Sequence, residues 1–321
     1  MTLFKRVVVI VFASFFVSAD MHAHNAANDA RVGVAVAAAD SATENDVTAH
    51  SNGINTWKTA GFCTVYGGAL LASQIKQASM YWSDPAPKFY TNFHDDWQYA
   101  HGADKFGHAM AGYVLNEVLC EGLTWGGVDT TTAVWSAAAF SLVHQSIIEI
   151  RDGNSIGKYG VFAPYLGFSW GDMAANTFGA LMPVVQHYVP WTRSFRPKFS
   201  VNPSAKMKAG GYYESVFNDY ESQYHWLSIN VYELLSKDMR SYWSPYINVA
   251  IGHSVKDIVD RPSLYTYNGY HELWVSLDYN IEALPGNSEW LRYLKKALNF
   301  VKLPAPCVRV LPSVVWYGLR L

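Results

Sequence analysis

Near Arg196 the hydrophobic pattern of this chain changes its period, and that change constrains the fold more than any other feature. Before it, apolar residues recur at the spacing of amphipathic helices. After it, they alternate as in half-buried strands. Four helices are predicted upstream: 57–82, stopped by Asp84-Pro85-Ala86-Pro87; about 104–122; about 130–149; and a last one to about Tyr188, ended by Pro190. Ser169-x-x-Asp172 is a capping-box-like start for that last helix. Glycines 61, 67 and 68 are expected to let the first helix approach a neighbour closely.

Downstream, residues 195–201, 224–232, 246–252, 271–281 and 308–321 read as strands, the last pushed toward an edge or bulge by Pro312. In 271–281, Leu273, Val275, Leu277, Tyr279 and Ile281 share one face; Glu272, Trp274, Ser276, Asp278 and Asn280 share the other. Residues 287–302 read as a short amphipathic helix. The expectation is an α+β protein: an N-terminal four-helix bundle-like core over 57–192, followed by an antiparallel β-sheet portion with one short helix over 193–321. The sheet should hold roughly four to six strands, too few to close an outer-membrane barrel alone, where about eight is the minimum.

Residues 1–19 have the form of a secretory signal: Lys5 and Arg6, an apolar run from Val7 to Phe16, and small residues at Val17-Ser18-Ala19. No Cys follows as a lipid acceptor. Residues 20–56, rich in Ala, Asn, Asp, Ser and Thr, read as a disordered leader. Export leads to an oxidising compartment, yet the only cysteines are Cys63, Cys120 and Cys307, and no disulfide framework is visible. Cys63 and Cys120 lie in apolar helical sequence and read as buried thiols. A net charge of −2 without a basic run excludes nucleic acid as a partner. Only 16% of residues are charged, while 21 Tyr and 12 Trp are present, a balance suited to lipid or a large apolar partner. Asn116, Glu117 and Glu121 in the second helix argue for a bundle outside the lipid core.

Three polar clusters interrupt the apolar helices. Asp104 and His108 are four apart on one helix; Lys105 lies beside them. Gln145, Glu149 and Asp152 form a second stripe, and Asp172 and Asn176 a third. If the bundle folds on itself, these can meet near one end. His108 with Asp104, Glu149 and Asp172 is the candidate acid–base or metal-binding group; Asp152, Asn176, Lys105 and Gln145 are candidate binding residues. The competing reading is a satisfied polar network that locks helices together, with Lys105 or Arg151 pairing the carboxylates. No HExxH or comparable ligand motif occurs, so neither a metal nor a cofactor is named by the sequence. No phosphate loop, dinucleotide fingerprint or nucleophile elbow occurs either.

At these residues the chain resembles a known family. Asp104-Lys105-x-Gly107-His108, Glu149-x-x-Asp152-Gly153 and Gly167-x-Ser169-x-x-Asp172-x-x-Ala175-Asn176-x-x-Gly179 look like the YfiM-type predicted periplasmic lipoproteins, a domain of unknown function. The motif order is also similar to VanZ-like membrane proteins. Asp219-Tyr220 and Tyr224-His225-Trp226-Leu227-Ser228 look like the longer envelope members of the first family. The resemblance implies an exported, periplasmic protein associated with the outer membrane, and no established activity. The expected role is non-enzymatic, binding or organising a lipid, glycan or protein of the envelope. The alternative is a hydrolase or transferase on a lipid-linked or phosphorylated envelope substrate, using His108, Glu149 and Asp172 with Asp104 orienting His108. Oligomeric state is not fixed by the sequence.

Overall fold

The computed structural model describes residues 53–82, 85–93, 96–156, 167–209, 216, 219–258 and 269–320. The expected signal segment and nearly all of the leader lie outside them. Helix α1 is Thr56–Tyr81, α2 Ala103–Trp125, α3 Thr130–Gly153 and α4 Trp170–Tyr188. Each start has a local cause. Asn55 and Asp129 accept the backbone N–H three residues on, closing α1 and α3, and Ser169 Oγ accepts from Asp172 N to open α4. Gly102, with φ +74, turns the chain into α2. Helices α2, α3 and α4 pack on one another, and α1 lies along α2. The close approach is made at Gly112 and Gly179, not in α1. A Cβ on Gly112 would sit 2.7 Å from Asn176 O, and one on Gly179 would collide with Ala109 O. At Gly61, Gly67 and Gly68 a Cβ would meet nothing among the described residues, which do not show their expected packing role.

Strands β1 (Thr91–Asn92) and β2 (Phe168–Ser169) form a small parallel pair that joins the segment after α1 to the start of α4. The C-terminal half is a six-stranded antiparallel meander: β3 Phe195–Val201, β4 Gln223–Ile229, β5 Ile247–Lys256, β6 Tyr270–Tyr279, β7 Ala305–Leu311 and β8 Val315–Arg320. Single turns α5 (Ala205–Lys208) and α6 (Val231–Leu234) follow β3 and β4. The amphipathic helix is α7, Glu289–Asn299. The expected last strand over 308–321 is two strands, because the chain reverses after Leu311 and β8 pairs antiparallel with β7.

The sheet curls. Residues 300–302 pair with the free edge of β3, Phe199 N donating to Phe300 O at 3.0 Å and Lys302 N to Phe199 O at 2.9 Å. Lys198 on β3 reaches Asp278 on β6, 2.7 Å away, past two intervening strands. The face turned inward carries Tyr224, Trp226, Ala250, Trp274 and Cys307 as its apolar core. It also carries Lys198, Ser228, Asn248, Ser254, Glu272, Ser276 and Asp278, all buried. Leu227, Ile251, Leu273, Val275 and Leu277, the apolar stripe of the strands, face outward and are exposed. Alternation located the strands, but the stripe that packs inward is the polar one.

The helices repeat this inversion. Helix α3 buries Ala133, Ala137, Ser141, Gln145 and Glu149 and exposes Trp135, Phe140, Val143, Ile147 and Ile150. Helix α4 buries Gly171, Asp172, Asn176 and Gln186 and exposes Trp170, Phe178 and Val185. Among the cysteines, only Cys307 is buried; Cys63 is exposed and Cys120 half-buried, which corrects the expected burial of the two helical thiols.

Candidate functional site

The three polar stripes meet where α2, α3 and α4 converge. Lys105 is the centre of charge. Its Nζ lies 2.8 Å from Asp96 Oδ1, 2.7 Å from Asp172 Oδ1 and 3.3 Å from Asp104 Oδ2, with Ser169 Oγ at 3.3 Å. Asp96 comes from the loop held in place by β1 pairing with β2. It accepts from Ser169 Oγ and, at 2.6 Å, from Gly171 N. Gly171 is required there, because a Cβ would sit 2.8 Å from Lys105 Cε and 2.9 Å from Asp96 Oδ2. Burial favours a neutral Asp96, but hydrogen bonds from Lys105, Ser169 and Gly171 bring its carboxyl below the ordinary value.

His108 occupies the other side. Nδ1 is 3.1 Å from Asn176 Oδ1, which also accepts from Gln145 Nε2 at 2.6 Å, and 3.6 Å from Glu149 Oε1. Nε2 faces Asp104 Oδ1 at 3.7 Å and Asp172 Oδ2 at 3.8 Å. Tyr220, from the turn before β4, donates to Asp104 Oδ1 at 2.6 Å and so ties the sheet portion to the cluster. Glu149 is held from behind by Ser169 N, 3.1 Å from Oε2.

The carboxyls divide into two groups. Burial opposes ionisation of Asp104, but His108 and Lys105 hold it below its ordinary value. Burial raises Glu149 to about 8, and burial with the nearby Asp104 charge raises Asp172 to about 6. Burial works against charge on His108, but Asp104, Asp172 and Glu149 outweigh it and hold the imidazole above its usual value.

Six of the eight sequence candidates, Asp104, Lys105, His108, Glu149, Asp172 and Asn176, are linked in one network through Lys105 and His108, and Gln145 joins through Asn176. Asp152 is not brought to His108. It accepts from Trp82 Nε1 at 2.5 Å, and its backbone carbonyl receives Gly167 N, so it fastens the end of α3 to α1 and the return loop. Its carboxyl is raised to about 7 by burial. Arg151, expected as a possible carboxylate partner, instead stacks over Trp82. Asp96, Ser169 and Tyr220 were not chosen from the sequence. The only available signals were the cap at Ser169 and the Asp219-Tyr220 pair.

Asp104, His108 and Asp172 each offer a ligand atom, and these three atoms lie within 4.8 Å of one another. A nitrogen and two oxygens suit a divalent first-row ion.

Fold and site together describe an α+β protein whose helices and sheet meet at a buried histidine–carboxylate–lysine cluster. Residues 92–187 match the family described as "Predicted periplasmic lipoprotein (DUF2279)", a family of unknown function. That segment contains every residue of the cluster except Tyr220, and the description accords with an exported, periplasmic protein. No curated protein and no solved structure matches the chain, so the VanZ-like likeness rests on motif order alone.

Proposed function

We propose that the protein binds membrane lipid at the outer membrane, with its outward apolar faces against acyl chains and its polar clusters turned inward. The observation that carries this reading is the inverted polarity of both halves. In water, a period-2 or period-3.6 apolar stripe packs inward. Here the stripes of α3 and of β4–β6 are outside, while Gln145, Glu149, Glu272 and Asp278 are inside. Helix α3 is long and apolar enough to cross a membrane by length and composition, and only 39% of that apolar window is buried. A core helix of a water-soluble domain would hide most of it. Aromatic and cationic groups gather near the helix ends: Lys58 over Trp125, and Arg151 over Trp82, as in interfacial belts. Asn116, which argued against lipid contact, is enclosed and donates to Ala180 O at 2.6 Å, while Glu121 pairs with Lys296. They do not burden the outer face of α3.

The test is flotation with vesicles of phosphatidylethanolamine and phosphatidylglycerol. The purified protein is expected to float with the vesicles at high salt. Recovery of all the protein in the lipid-free fraction as a monodisperse species would overturn the reading.

A second reading has one observation in its favour. The His108 side chain retains 21% exposure amid carboxyls of divided protonation, an arrangement able to exchange protons with a bound phosphorylated or lipid-linked substrate. Turnover of a phosphorylated lipid that disappears in His108→Ala would favour it.

A further inference from the structure

We propose that His108, Asp104 and Asp172 form a binding site for one divalent first-row transition ion, bound through His108 Nε2, Asp104 Oδ1 and Asp172 Oδ2. The inference does not depend on the lipid-facing reading. It begins with the direction of the imidazole. Asn176 Oδ1 receives Gln145 Nε2, so Asn176 presents an oxygen to His108, and His108 Nδ1 is the donor in that contact. Nε2 is then the nitrogen left to face the two aspartates.

The distances suit an ion more than hydrogen bonds. At 3.7 and 3.8 Å, Nε2 is too far from Asp104 Oδ1 and Asp172 Oδ2 for direct bonds. Donors about 2.0–2.2 Å from a shared ion can lie up to about 4.4 Å apart, which both separations satisfy. Lys105 does not block the site, because it takes Asp104 Oδ2 and Asp172 Oδ1 and leaves the other oxygen of each carboxylate toward His108. Tyr220 fixes Asp104 Oδ1 while leaving it a second lone pair.

A separate observation points to a ligand. Glu149, whose side chain is 1% exposed, aims Oε1 at the back of the imidazole, 3.6 Å from Nδ1, and that oxygen has no hydrogen-bond partner among the described residues. An acidic group behind a histidine is the arrangement that orients a metal-bound imidazole and raises its basicity.

The experiment is equilibrium loading of the purified chain with Zn(II) or Mn(II), dialysis, and elemental analysis. One ion per chain is expected. Asp172→Asn and His108→Ala should lose it. Glu149→Gln should weaken binding by about 10–100-fold, the usual effect of removing a group that only orients a ligand. A double His253→Ala/His271→Ala variant removes the hydrogen-bonded imidazole pair on β5 and β6 and should keep the ion. Should the cluster variants fail to fold, X-ray absorption of the Zn-loaded wild type decides. A shell of oxygens with one imidazole supports the site; a shell with two or more imidazoles overturns it. So would a folded wild type that retains no ion, or an Asp172→Asn variant that binds as tightly as wild type.

Discussion

Replacing Val143 with arginine separates a lipid-facing helix from an ordinary surface helix. Val143 is 60% exposed on α3, on the same outward stripe as Phe140 and Ile147. It touches none of the buried cluster. On a water-facing surface such a change alters folding stability by no more than about 0.5 kcal/mol. Against hydrocarbon the same arginine costs about 2.5–3.5 kcal/mol at mid-depth. At about 1.4 kcal/mol per factor of ten, that is roughly a hundredfold loss of partitioning. Val143→Leu, which keeps the apolar character, should change nothing. The assay is flotation over a range of lipid concentrations, with circular dichroism to verify that each variant is folded. A folded Val143→Arg protein that partitions like wild type would refute the claim that α3 faces acyl chains.

Within the curled sheet, Lys198 and Asp278 are both buried, and Asp278 Oδ2 also accepts from Ser228 Oγ at 2.6 Å. Lys198→Met strands the carboxylate and should cost about 3–5 kcal/mol in denaturant unfolding, while the double variant Lys198→Met/Asp278→Leu should regain most of it; equal losses in both would contradict the pairing. Gly179→Ala forces α4 away from Ala109 on α2 and should destabilise by about 1–3 kcal/mol, read as a lowered melting midpoint. Burial, helped by the nearby His253 and opposed by Asp104, lowers His225 to about 4, and both its ring nitrogens are enclosed without hydrogen-bond partners among the described residues. The unfolded chain therefore binds the proton first: the neutral-ring contribution is complete above about pH 6.5 and lost as pH falls to about 4. It amounts to about 3 kcal/mol. His225→Phe should flatten the stability–pH curve in that window, and an unchanged slope would count against the burial.

The helices were legible because their ends carry local chemistry: Asp129 and Ser169 close their first turns, and Pro190 follows the last. Spacing also foretold the cluster, since residues four apart on α2, α3 and α4 had to project together once those helices packed. What spacing could not supply was the partner from elsewhere. Asp96 sits in an irregular loop and Tyr220 in a single turn, neither with a period to read. Asp152 shows the opposite error: it continues the Gln145–Glu149 stripe, but the helix ends one residue later and its side chain turns to Trp82. The orientation of the sheet was not readable either. Alternation says that two faces differ and not which is inside; that is settled by Lys198 meeting Asp278 across the curl and by Tyr224, Trp226 and Trp274 clustering on the same face.

The most direct measurement is quenching of tryptophan fluorescence by lipids brominated along the acyl chain. Trp135 on α3 and Trp316 on β8 face outward, while Trp226 and Trp274 lie inside the curled sheet. Strong quenching is expected in brominated vesicles, reduced by Trp135→Phe and Trp316→Phe and left unchanged by Trp226→Phe. Fluorescence indifferent to bromination, or quenching unaffected by loss of the two outward tryptophans, would contradict it.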